Sequence, residues 1–219
     1  MNKETTFEVG SLDWLEARCK NVTATEVSSL FGLNRYKSAK ALVKDKKEPK
    51  KIWSPHIRRG RILEPAVAQA CTEDLDWDVK LYGGSKNVSF FQHPEVALSA
   101  TPDAMQISAD GEILALIELK TANEARIEDW DFGPPDYYAL QVHAQMMCTG
   151  INKAYIACLG AFDPFPLIVY EIVKSDLIQN KIKNSVVKFW EMYYNNLEYS
   201  VDKLDKKEIK SCLQSKRIY

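Results

Sequence analysis

The sequence lacks the features that would place it in several large classes. No stretch approaches the roughly 20 apolar residues of a membrane-spanning helix. Met1–Gly10 carries three charged residues and no apolar run, so it does not read as a signal peptide. The cysteines, Cys19, Cys71, Cys148, Cys158 and Cys212, are odd in number, scattered and never in a CxxC pair. That disfavours a disulfide framework and a zinc or iron–sulfur cluster, and it fits a reducing cytoplasm. There is no internal repeat, low-complexity tract or Pro/Gly/Ser-rich linker to force a boundary. Neither charge dominates: the net value is −1 over 219 residues, so no global basic field announces nucleic acid.

What is present is an ordinary globular balance, 46% hydrophobic and 27% charged, at a length that suits one domain over 1–219. Charge is uneven locally. Lys44, Lys46, Lys47, Lys50 and Lys51 form a basic run, Arg58, Arg59 and Arg61 follow, and 203–216 is a mixed but basic tail. Each run alone reads as a solvated face and gains meaning only if a site faces it.

Periodicity divides the chain into a helical part at about 11–74, a sheet-centred core at about 75–174, and a helix over about 175–199 before the tail. Ser11–Lys20 reads as a helix with Leu12, Leu15 and Cys19 on one stripe. Thr23 with Glu26 is a capping-box signature for a second helix. A third spans Ser54–Asp74, with Ile57, Leu63, Val67, Ala70 and Cys71 as its stripe and Pro65 near its first turn or at a kink. Then come short β-rich runs, Val79–Tyr82, Val88–Phe91, Val96–Ala100, Ala104–Ile107 and Ile113–Leu119. They suggest a meander with a turn at Asp110–Gly111. Helix returns over Asp136–Cys148 with Gly150 at its end, strands over Ala154–Leu159 and Leu167–Val173, and a last helix opens at Ser175. This order argues an α/β fold with a mixed central sheet flanked by helices.

The chemistry-bearing segment is Thr101-Pro102-Asp103, then strand, turn and strand to Glu118-Leu119-Lys120. Pairing those strands brings Asp103 and Glu118 to one place, and residues two apart share a face, so Glu118 and Lys120 project together while Leu119 enters the core. Two carboxylates and an ammonium suit metal-assisted phosphodiester hydrolysis, since Mg2+ takes hard oxygen ligands and the ammonium offsets transition-state charge. The same three residues also fit a solvated strand end and a turn after Pro102. Against that stands Ile113–Ile117, a buried run that charged residues seldom terminate without a partner.

Four separated blocks then resemble the lambda-exonuclease-like, YqaJ-type viral recombinase family of the PD-(D/E)XK nuclease superfamily. They are Trp14 through Arg18 to Thr23–Val27, Gly60–Pro65, Ser99–Asp103, and Glu118–Lys120 with Tyr138–Val142. The resemblance implies a restriction-endonuclease-like core and a metal held by Asp103, Glu118, the Leu119 carbonyl and Glu64. It implies Lys120 as catalytic lysine and Gln141 beside the attacking water. It implies Mg2+, two ions per site with Mn2+ able to substitute, and digestion of linear duplex DNA from free 5′ ends to mononucleotides. A homotrimeric ring and a single-strand annealing protein as partner are also implied, as is a 5′-phosphate pocket of Arg18, Thr25, Arg35 and Thr101. A structure-specific endonuclease and a non-catalytic DNA-binding assembly protein are the competing readings.

Residues outside that set carry weaker signals. His143 is two from Gln141, on the opposite side of an ideal helix, which favours a structural role, whereas Gln145 shares the Gln141 face. Trp77, Trp130 and Trp190 read first as core, and Trp53, beside the basic run, is a candidate wedge between DNA strands.

Overall fold

The computed structural model describes residues 2–48, 54–84, 86–202, 204 and 213–219. Trp53, Lys50, Lys51, Cys212 and most of the basic tail lie outside the described residues.

The chain opens with β1 (Glu4–Glu8), α1 (Leu12–Cys19) and β2 (Val22–Thr23). A 3-10 turn over Ala24–Glu26 leads into α2 (Val27–Leu30), followed by α3 (Ala39–Lys47) and α4 (Pro55–Leu75). Five strands follow: β3 (Asp78–Leu81), β4 (Asn87–Gln92), β5 (Leu98–Ala100), β6 (Ala104–Ile107) and β7 (Ile113–Ala122). Then come α5 (Glu124–Ile127), α6 (Asp136–Thr149), β8 (Ala154–Gly160), β9 (Leu167–Ile172), α7 (Asp176–Tyr194) and β10 (Ser215–Arg217).

The strands do not form one meander. They make a four-stranded sheet of order β1-β4-β5-β2 and a six-stranded mixed sheet of order β10-β9-β8-β7-β6-β3. The chain leaves the larger sheet at Gly83–Gly84, crosses to β4 and β5, and returns at β6, which pairs antiparallel with both β3 and β7. The expected turn between β6 and β7 is present, with Gly111 at φ +82 and its N–H on the Ser108 carbonyl at 2.8 Å. β7 and β8 run parallel, so α6 serves as the crossover that parallel pairing requires.

The alternation of β7 divides the core. Ala115, Ile117 and Leu119 join Val67, Ala68 and Cys71 of α4 on one face. On the other face Leu116 and Ala122 join Leu140, Val142, Ala144 and Met146 of α6 and Ile178, Ile182, Val186 and Phe189 of α7. Trp190 and Trp130 are core, as expected, and Trp77 packs beside Tyr155 with centroids 4.5 Å apart.

Several helices differ from their sequence reading. Nothing in α1 is buried and Leu12 is 74% exposed, so the expected stripe does not face the core. Pro65 stands in the middle of α4 rather than its first turn; it removes one N–H from the ladder without ending the helix. Ile57, at the exposed start of α4, does not join the apolar face. Thr23 opens only the 3-10 turn and the four residues of α2, and α7 stops at Tyr194.

Candidate active site

The site begins where β6 meets β7. Ala104 is paired with Ile117, which places Asp103 opposite the end of the buried run, and Asp103 Oδ2 accepts the Leu119 N–H at 3.0 Å. The Asp103 carbonyl accepts the Tyr82 and Gly83 N–H groups at 2.9 and 3.0 Å, so its backbone is pinned from the β3 side. A Cβ on Gly83 would stand 3.6 Å from Asp103 Cα and 3.8 Å from Glu64 Oε2; the chain passes close to both acids there.

Glu118 is 1% exposed. Its Oε1 accepts from Lys120 Nζ and from Gln141 Nε2 at 2.5 Å, and its Oε2 accepts from Gln145 Nε2 at 2.5 Å. Gln141 and Gln145 are one turn apart on α6, both buried, and grip the two carboxylate oxygens. Lys120 also donates to the Leu119 carbonyl at 3.2 Å, lies 3.7 Å from Asp103 Oδ2, and stands 5.0 Å from the centroid of Tyr138.

These groups are unbalanced in charge. Burial, then the neighbouring Glu118 and Glu64, push the Asp103 carboxyl well above the usual range, against the opposing pull of Lys120. Burial and Glu118 raise Glu64 as well, while Lys120 and Arg61 oppose. Burial alone would depress Lys120, but Glu118 and Asp103 outweigh it and hold the ammonium charged. Asp103 and Glu118 thus share the Lys120 ammonium, and Glu64 lies between the fields of Lys120 and Arg61.

Asp103, Glu118, Glu64 and the Leu119 carbonyl are all oxygen donors, the ligand class that a hard divalent ion takes. No group of three or more His, Cys, Asp or Glu side chains is gathered as a ready ligand set among the described residues. Both Glu118 oxygens are occupied by Lys120 and the glutamines.

A cavity of about 120 Å3 opens onto Asp103, Glu118, Lys120 and Gln141, and Arg18, Thr25 and Thr101 line it as well. Arg35 does not; it lines a neighbouring cleft, where it pairs with Asp129 at 3.7 Å. Thr25 lies in a 3-10 turn before a four-residue helix, so no long helix dipole is directed at the cavity. The cavity is also lined by Thr23, read from sequence as a helix cap, by Ser99 of the third resembling block and by Gln145, read as sharing the Gln141 face. Thr23 Oγ1, Ser99 Oγ and Gln145 Oε1 are buried without a hydrogen-bond partner and belong to residues lining it. Tyr138, over Lys120, was legible as the residue one turn before Gln141. His143 is fully buried, lacks a partner on either ring nitrogen and is absent from the cavity wall, in line with a structural role.

A family model described as YqaJ-like viral recombinase domain matches residues 13–152. Uncharacterized protein YqaJ of Bacillus subtilis (strain 168) is 25% identical over 193 residues, 84% of this chain and 56% of the relative. The chain therefore spans about half the length of the curated relative it matches. Among solved structures, the alkaline exonuclease LHK-Exo of Laribacter hongkongensis superposes with a TM-score of 0.67 at 22% identity, over 86% of this chain and 95% of that one. Its complex with dAMP gives the same TM-score at 23% identity and the same coverage. A phage related exonuclease from Haemophilus somnus 129PT gives 0.57 at 13% identity, over 80% of this chain and 94% of that one. These likenesses establish the restriction-endonuclease-like fold, with its mixed sheet flanked by helices.

Proposed function

The chain belongs to the YqaJ-like viral recombinase family, within the PD-(D/E)XK nuclease superfamily, and from that premise we propose that it is a Mg2+-dependent exonuclease digesting linear duplex DNA from 5′ ends to mononucleotides. The observation that carries this reading is the meeting of Asp103, Glu118 and Lys120 on the wall of a cavity that Arg18, Thr25 and Thr101 also line, with Glu64 outside that wall but close to Asp103 at Gly83.

Asp103, Glu118, the Leu119 carbonyl and Glu64 would hold one or two Mg2+ ions, with Mn2+ able to substitute; the metal supplies Lewis-acid polarisation of the phosphate and a lowered pKa for water. Lys120, held charged by its carboxylates, is a poor proton acceptor in this setting. Its work is to orient the attacking water and offset charge on the phosphorane-like transition state. Gln141 and Gln145 hold the two Glu118 oxygens, and both glutamines line the cavity. Arg18 and the Thr25 and Thr101 hydroxyls receive the terminal 5′-phosphate by charge-assisted and neutral hydrogen bonds, without Arg35.

Near-neutral overall charge sits oddly with a polyanionic track. A homotrimeric ring that turns basic patches inward resolves this, and a single-strand annealing protein is the fitting partner for the strand left behind. Light scattering that finds a monomer while digestion stays processive removes the ring.

The test is digestion of end-labelled linear duplex in Mg2+ beside a covalently closed circle. Release of labelled mononucleotide from the linear substrate alone is expected. Cutting of the circle identifies an endonuclease instead, and an intact pair of substrates identifies a binding protein.

A further inference from the structure

A second cleft, of about 300 Å3, adjoins the site, and the reaction proposed above leaves it unused. Tyr138 belongs to both regions. Lys120 Nζ stands 5.0 Å from its ring centroid, while the Tyr137 centroid lies 4.3 Å away and leads outward. The Arg35 guanidinium is 5.6 Å from the Tyr137 centroid, and Tyr36 beside it is 85% exposed. Arg59 on α4 and Arg126 on α5 also line the cleft. Among the described residues Asp129 is the one acid lining it, and it is already engaged by Arg35 at 3.7 Å and Arg126 at 3.3 Å. Cations are therefore in excess, and they are interleaved with tyrosine rings.

That mixture selects its ligand. Guanidinium groups attract any polyanion, but a paired duplex hides its base faces, so exposed rings are useful only to unpaired bases. We propose that this cleft binds a single-stranded segment of DNA, with Tyr36 and Tyr137 stacking on bases and Arg59 and Arg126 meeting phosphates. Its position next to Lys120 makes it the path of an unpaired strand at the active site. The identity of the polymer as DNA rests on the nuclease reading; the preference for an unpaired strand rests on the rings.

The experiment is fluorescence anisotropy with a short labelled oligothymidine, and a blunt duplex of equal length, in EDTA so that nothing is cut. Tyr36→Ala should weaken single-strand binding roughly tenfold, as loss of one stacking platform does, while Tyr36→Phe keeps it. Arg59→Ala should reduce the slope of log affinity against log salt by about 0.7, the loss of one phosphate contact on a single strand. Both sites are exposed, and circular dichroism checks the fold. Unchanged affinity in Tyr36→Ala, an equal loss for the duplex, or no saturable binding by the parent overturns the proposal. Binding needs no cleavage, so the two readings fail separately. Tyr36-dependent binding in a protein that cuts nothing sinks only the nuclease, and Tyr36-independent binding in an active nuclease sinks only the cleft.

Discussion

Among the described residues, Glu26 with Lys46 and Glu118 with Lys120 each join a buried carboxylate to a largely covered ammonium, and the two pairs differ in how they are closed. Glu26 accepts from Lys46 Nζ and from the Thr23 N–H at 2.6 and 2.9 Å, and Lys46 also donates to the Arg18 carbonyl at 2.8 Å. Burial would push the Glu26 carboxyl up, but Lys46, Arg18 and Lys37 overcome it and hold it at about 2. Glu118 and Lys120 pair as closely, yet Asp103 shares the same ammonium at 3.7 Å, Glu64 adds its charge nearby, and Asp103 is driven the opposite way. A pair whose charge is matched is a structural rivet, whereas a pair with surplus carboxylate is the kind of arrangement to which a cation would add stability. Burial is common to both; what separates them is the charge left over.

Truncating the two lysines breaks the comparison most sharply. Lys46→Ala leaves Glu26 buried and short of its main partner, which should cost about 3–5 kcal/mol in denaturant unfolding, while cutting by the surviving folded protein falls far less than in the Lys120 variant. Lys120→Ala should cost cleavage by about 10²-fold or more and much less stability, because its side chain is 19% exposed and the remaining acids can take up a proton. A Lys120→Ala variant that cuts DNA, or a Lys46→Ala variant as stable as the parent, shows that the roles have been assigned the wrong way round.

Acid separates the two pairs next, once a background is removed. His143 is buried and held neutral, its pKa pushed down to about 4 from 6.5, so its stabilising contribution is whole above pH 6.5 and drains away as pH falls towards 4. His143→Leu should therefore flatten that upper window, by up to roughly 3 kcal/mol. Glu26, depressed from 4.5 to about 2, should lose its contribution only lower, between those values, and Lys46→Ala should flatten this second window. Thermal melts across pH read both. A single acid transition unaffected by His143→Leu contradicts the first half.

The contact between Glu118 and Lys120 was legible from sequence because it is local: two-residue alternation joins the two, and one turn of helix joins Gln141 to Gln145. The structural pair was not, since Lys46 looked like one more residue of a solvated basic run and only the packing of α3 beneath α1 and α2 buries it against Glu26. Cys19, Cys71, Cys148 and Cys158 are free thiols among the described residues. Strand connectivity was lost at Gly83–Gly84, where a change of sheet looks like a hairpin turn. The edge strands β1 and β10, polar and short, carry almost no pattern. Arg35 shows how far motif order reaches: it is near the site, in the adjoining cleft, but not on the cavity wall where Arg18 and Thr25 are.

The smallest expected effect is the most discriminating. If Asp103 is crowded by Glu118 and Glu64, then removing its charge should relieve the fold even as it disables the enzyme. Asp103→Asn keeps an oxygen for the Leu119 N–H that Asp103 accepts at 3.0 Å, so the backbone contact survives while the like-charge repulsion goes. In EDTA at pH 7 the variant should be more stable by about 1 kcal/mol, a rise of roughly 2–4 °C in Tm for a chain of this size. Adding Mg2+ should raise the Tm of the parent, because an ion bound only by the folded state stabilises it, and should move the variant much less. The same substitution at Glu26, a carboxylate with matched partners, should lower Tm under both conditions. A less stable Asp103→Asn in EDTA would mean that Asp103 is a structural acceptor like Glu26, and the distinction between rivet and site would collapse at its central residue.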